Sequence, residues 1–151
     1  MPKIIISDTS CLIILTNIGE LELLHQVYGQ IITTPEIAAE YGETLPDWVE
    51  IAGVADSYRQ RLLELQIDKG ESSAIALALE TPDSTVILDD YRARRVAKQL
   101  GLTCTGTIGV IIRAKLKGII PSIKPLLARI KQTNFRLSAE VELQALQQAG
   151  E

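Results

Sequence analysis

Asp8 is the only charged residue in IIISDTSCLIIL, Ile4 to Leu15. A carboxylate in so apolar a run costs free energy unless something pairs with it. Four more acids raise the same question. Asp89 and Asp90 close the run TVILDD. Glu40, in TPEIAAEYG, follows two alanines that permit close packing, and lies three residues after Ile37 on the same helical side. Glu71 stands three and four residues before the first members of the apolar stripe Ala74, Ile75, Ala78 and Leu79, so it continues that stripe. Asp8, Glu40, Glu71 and Asp89 or Asp90 read as semi-buried and have no evident basic partners. Brought together, they repel and raise one another's pKa. A divalent cation removes the conflict. A donor set of oxygens alone, with neither His nor Cys, points to Mg²⁺ or Mn²⁺ rather than zinc. A hard cation on a few carboxylates, with waters left over, is suited to attack on phosphate esters. A structural role is open to each acid as well. Asp at a strand–helix junction caps the helix, and the helix dipole favours Glu36 and Glu71 in a first turn.

Small hydroxyls and cations surround these acids. Thr9 and Ser10 follow Asp8 at a helix start, where backbone N–H groups and the Ser10 hydroxyl can hold a phosphate oxygen or a metal-bound water. Thr107, in TGTIG, is placed in the same way, with helix capping the preferred role. The helix after Asp90 carries Arg92, Arg94, Arg95 and Lys98, and the next carries Arg113, Lys115 and Lys117. These cations can contact a nucleic-acid backbone on the rim of the acidic site, or simply solvate a helix face.

The elements that must position these residues alternate. KIIIS, QIITT, STVILDD and LTCTG read as strands, and LPDWVEIAGV as a small extended segment. Helices follow: two over SCLIILTNIGELELLHQVYG with a break near Gly19 and a capping box from Asn17 to Glu20, then PEIAAEYG with Thr34 as cap and Pro35 at its first position. SYRQRLLEL, ESSAIALALE after Gly70, YRARRVAKQLG and TIGVIIRAKLKG are further helices. Pro121 opens another, to about Thr133, and Ser138 caps a last one. Strands alternating with helices imply a parallel sheet covered on both faces, a three-layer α/β/α sandwich of four or five strands. Ligands of such sheets gather beyond the carboxyl ends of the strands, where Asp8, Asp89 and Asp90 stand.

At 151 residues the chain suits one domain, 1–151, with 121–151 as C-terminal helices packed on the core or on a partner. Aromatics make up only 4%, which argues against a base-stacking RNA platform. Cys11 and Cys104 read as core thiols, with no disulfide framework or zinc spacing, and the lone His25 reads as structural. With no signal peptide and no run of ~20 apolar residues, a soluble cytoplasmic protein with no membrane contact is expected. Charge is uneven: residues 1–75 carry 4 basic and 12 acidic side chains, and residues 76–151 carry 11 and 7. Such asymmetry marks either an anion-facing surface or ordinary solvated helices.

IISDTSCLI, TTPEIAAEY, DKGESSAIALA, VILDDYRARRVAKQLGL and GTIGVIIRAKLKGII, in that order, resemble the PIN domain family over roughly residues 3–120. The resemblance is nearest to a prokaryotic, toxin-like subgroup with Gly-Glu-Ser and Leu-Asp-Asp signatures. It implies a metal-dependent endoribonuclease leaving 5′-phosphate and 3′-hydroxyl ends. Many relatives are toxins of toxin–antitoxin pairs, so RNA, an antitoxin protein and a second copy of the chain are the expected partners. Carried over, Asp8 matches the first metal aspartate, Glu40 the helix glutamate, and Asp90 or Asp89 the later aspartate pair. Ser10 matches the hydroxyl that follows the first aspartate. Asp8, Glu40 and Asp90 are then the expected catalytic residues. Glu71 and Asp89 join them around the metal, with Thr9, Ser10, Arg92 and Arg95 on the substrate. The glutamate at 71 and the tandem aspartates depart from the common pattern. A non-catalytic PIN-like module held by a partner is the rival, with Leu137, Val141 and Leu146 on one helical side as a contact face. A haloacid-dehalogenase-like phosphatase needs a second acid where Ser10 stands. A dinucleotide fold needs a Gly-x-Gly-x-x-Gly that the first strand lacks.

Overall fold

The computed structural model describes residues 4–151; Lys3, expected in the first strand, lies outside them. Five short parallel strands form one sheet in the order β3-β2-β1-β4-β5. They are β1 (Ile4–Ser7), β2 (Ile31–Thr33), β3 (Val49–Ile51), β4 (Ser84–Ile87) and β5 (Thr103–Thr105). The segment around Trp48 is thus a full member of the sheet, at one edge. The central strands β1 and β4 pair in register, Ser7 beside Ile87, so Asp8 and the Leu88–Asp89–Asp90 turn leave the sheet side by side. Ile5, Ile6, Val86 and Ile87 are buried, as strands covered on both faces require.

The helices are α1 (Thr9–Asn17), α2 (Glu22–Tyr28), α3 (Pro35–Tyr41), α4 (Ser57–Leu63), α5 (Lys69–Glu80), α6 (Tyr91–Gln99), α7 (Thr107–Leu116), α8 (Lys124–Lys131) and α9 (Ala139–Gln148). Local sequence accounts for most of their ends. The Thr34 hydroxyl accepts from the Ile37 N–H, Pro35 sits at the first position, and Gly42 closes α3 at φ 77°, a left-handed conformation that favours glycine. Ser138 caps α9 through the Val141 N–H. His25 stacks on Trp48 and bonds the Gly29 carbonyl, a structural role. Cys11 is buried and Cys104 half-buried. No helix among the described residues is long and apolar enough to cross a membrane.

Four expectations need correction. The Asn17–Glu20 capping box does not form: the chain turns through Gly19 at φ 74°, α2 starts without a side-chain cap, and Glu20 pairs with Arg129. Pro121 does not open α8, which begins at Lys124 with Pro125 in its first turn. Gly70 lies inside α5, whose N-cap is Asp68, two residues earlier. Thr107 does not cap α7 but is its first residue.

Candidate active site

Asp8 ends β1 and caps α1. Its Oδ1 accepts from the Cys11 N–H at 2.9 Å, and its Oδ2 from the Asp89 N–H at 3.0 Å. It is 3% exposed. Burial pushes its pKa well above the ordinary carboxylate range, and the negative charges of Asp89 and then Glu71 push the same way. Asp89, half-buried, takes the Thr107 N–H on Oδ1 at 2.8 Å and the Thr107 hydroxyl on Oδ2 at 2.6 Å. It therefore caps α7 from the neighbouring strand end, which explains why Gly106, at the cap position, needs no side chain. Removing that hydroxyl leaves a half-buried charged acceptor short of one donor. Thr107→Val is expected to cost about 2 kcal/mol in urea unfolding with an unchanged m-value.

Asp90 is exposed and caps α6 through the Ala93 N–H, using Oδ2 alone. Glu71 is half-buried in the first turn of α5. Burial, followed by the charges of Asp68 and Asp90, raises its pKa to about 7. Glu40 is exposed rather than semi-buried. Its Oε1 accepts from the Thr9 hydroxyl at 3.0 Å, and its carboxylate lies over Gly70, where an added Cβ would meet Oε1 at 1.9 Å. Thr9 thus ties the start of α1 to the end of α3, and Ser10 follows it, half-buried.

Asp8, Glu71, Asp89 and Asp90 are coupled electrostatically, directly or in sequence, and Glu40 reaches the same edge through Thr9 and Gly70. None of the five forms an ion pair with a basic side chain among the described residues. No three acidic, His or Cys side chains among those residues are arranged as they stand to hold one metal ion. Asp8, Asp89 and Asp90 each turn one oxygen to a helix N–H group. A carboxylate nevertheless offers about four lone-pair sites, so capping does not exhaust it. The donor set is all hard oxygen, and its most buried member, Asp8, has no ion-pair partner among the described residues. Such donors are of the kind that a hard divalent cation takes.

Arg92 and Arg95 are exposed on α6, with Arg92 making only a long 3.4 Å contact to the Gln66 carbonyl. Lys115 and Lys117 do not reach the rim. Both lie at the far end of α7, where Lys115 bonds the Ala149 carbonyl and Glu151, and Lys117 bonds the Val27 carbonyl. The sequence reading starts α5 after Gly70 and leaves Asp68 without a role. The Asp68-x-x-Glu71 spacing is a capping signal that places both.

The structure is a parallel α/β sandwich with acids gathered where its central strands end. The family model described as a PIN domain matches residues 4–151. The chain belongs to the PIN domain family. No curated protein and no solved structure matches it significantly. PIN domains are generally nucleases and typically bind divalent metals.

Raised carboxylate pKa values make stability depend on pH. The fold favours protonated Glu71, so folding takes up a proton between the ordinary pKa of 4.5 and about 7. Stability is full below that window and falls as pH rises through it. Glu151, whose pKa is lowered by the Ser122 hydroxyl and the Ile123 N–H, acts oppositely, but only at pH below 4.5. Without metal, Tm is therefore expected to rise by ~3 °C from pH 8 to 5.5, allowing for the solvent screening of a half-exposed group. Mn²⁺ is expected to stabilise more at pH 8 than at 5.5. Scanning calorimetry with and without Mn²⁺ checks both; a Tm that falls on acidification contradicts the first.

Proposed function

We propose that the protein is a Mg²⁺- or Mn²⁺-dependent endoribonuclease, the toxin-like component of a toxin–antitoxin pair. The observation that carries this reading is Asp8: a buried carboxylate at the carboxyl edge, with acids rather than cations for neighbours. A hard divalent cation bound there supplies neutralising charge and acidifies an attacking water. Asp8, Glu40 and Asp90 are its proposed principal holders, with Asp89 and Glu71 beside them. Thr107 fixes Asp89, and Thr9 orients Glu40. The Ser10 hydroxyl and the N–H groups at the start of α1 face the phosphate, while Arg92 and Arg95 carry the RNA backbone past the acids. The exposed stripe Tyr58, Leu62 and Leu65, running from α4 into the turn after it, supports a protein partner, an antitoxin or a second copy.

The test is RNA cleavage by the purified chain in Mg²⁺ or Mn²⁺. The expected result is cleavage that EDTA abolishes, with 5′-phosphate ends. EDTA-resistant cleavage or none at all sinks the reading. One observation favours the rival, a binding module: both Asp8 oxygens already serve backbone donors. Titration calorimetry with Mn²⁺ separates the two, since a module of that kind takes up no metal.

A further inference from the structure

A groove of about 480 Å³ opens from Asp89 between the first half of α7 and the face of α9. Its walls are chemically unlike the acidic edge beside it. Arg94, Arg136 and Phe135, the only phenylalanine of the chain, line it together with Gln144 and Gln148, one turn apart on α9, and with apolar side chains of α7 and α9. Neither arginine forms an ion pair among the described residues. Arg94 Nη1 and Asp89 Oδ1 each lie 3.0 Å from the point a Cβ on Gly106 would occupy. The guanidinium therefore stands near a candidate metal-binding carboxylate without forming an ion pair with it. Arg94 also lines a second groove with Asp89, Arg95 and Lys98, so it divides a basic track on α6 from the amide-lined groove on α9.

This set of groups matches one nucleotide. Guanidinium forks hold phosphate bidentately, glutamine amides present a donor and an acceptor to a base edge, and an aromatic ring packs on a base face. An acidic or purely apolar ligand uses only part of it. We propose that this groove takes the base of the nucleotide next to the cleaved phosphodiester. Gln144 and Gln148 read its edge, Phe135 packs on its ring, and Arg94 and Arg136 hold the adjoining phosphate. The position next to the cut rests on the nuclease reading above; the nucleotide site itself does not. The groove would then make α9 a specificity element rather than a mere cover for the core.

The four nucleoside 5′-monophosphates are titrated into the full chain, with side-chain amide shifts followed by NMR. The chain's base preference is read from cleavage of a randomised RNA. Saturable binding of at least one nucleotide is expected, with the Gln144 and Gln148 amides moving most. Gln144→Ala with Gln148→Ala is expected to weaken it about tenfold and to flatten base preference at one position beside the cut. Both glutamines are exposed, so the fold tolerates the change, and Gln147→Ala, an exposed glutamine of α9 that does not line the groove, serves as control. Nucleotide binding on the groove amides in a chain that cuts no RNA supports the site and overturns the nuclease reading. RNA cleavage with unchanged base preference in the double variant, and no nucleotide binding, overturns the groove and leaves the nuclease reading intact.

Discussion

Asp8→Asn is expected to reduce metal-dependent RNA cleavage at least about a thousandfold, equivalent to about 4 kcal/mol of transition-state stabilisation. The fold should survive, because two effects on stability oppose each other. Asparagine keeps one acceptor, enough for the Cys11 N–H that starts α1, but sets its amide against the Asp89 N–H that Oδ2 now receives. That loses one hydrogen bond. In return it removes a carboxylate that is 3% exposed, has Asp89 and Glu71 for neighbours and forms no ion pair. With metal absent, Tm should change little. With Mn²⁺ present the variant should fall behind, because only the parent has a buried charge for a cation to relieve. Cleavage rates and melting curves, each with and without Mn²⁺, decide it. A variant that cuts RNA at the parent's rate removes Asp8 from the site.

The parts of this arrangement legible in the sequence are those set by short-range chemistry. Thr34, Pro35 and Gly42 bracket α3 because cap, fixed φ and left-handed exit are each one residue's property. The β-branched runs before Asp8 and Asp89 announce central parallel strands, and strand ends are where such sheets bind ligands. What was not legible depends on partners far along the chain. Thr107 has the look of a cap, yet its hydroxyl serves Asp89, 18 residues away on the neighbouring strand end. Asn17 and Glu20 have capping-box spacing, but Arg129 draws Glu20 off more than a hundred residues downstream. Burial was misjudged for the same reason. Glu40 follows two alanines, and nothing local reveals that its carboxylate lies in the open over another helix. Lys115 and Lys117 read equally as rim cations or as a helix face away from it, and only the course of α7, which carries them to the opposite end of the sheet, decides between the two.

Gly70→Ala separates the site from the fold. Gly70 is buried in the first turn of α5, and a methyl group there would sit 1.9 Å from Glu40 Oε1 and 3.0 Å from its carboxyl carbon. Something must move, and the far end of a glutamate on an exposed helix face moves most cheaply. The Thr9 hydroxyl then loses its partner at 3.0 Å, and Glu40 leaves the acidic edge. Backbone energetics run the other way: alanine in a helix is favoured over glycine by roughly 0.5–1 kcal/mol, and α5 keeps its Asp68 cap. The expected outcome is therefore a variant as stable as the parent or slightly more so, with cleavage down about a hundredfold, in line with a catalytic group moved by an ångström or more. Gly70→Ser should behave alike. Glu40→Gln, which changes charge without displacing the side chain, should lose activity with no gain in Tm. If Gly70→Ala cuts RNA normally while Glu40→Gln does not, the carboxylate reaches the metal from another rotamer, and its contact with Thr9 belongs to the metal-free state alone. If both cut normally, Glu40 has no part in the chemistry, and the metal is held by Asp8, Glu71 and the Asp89–Asp90 pair.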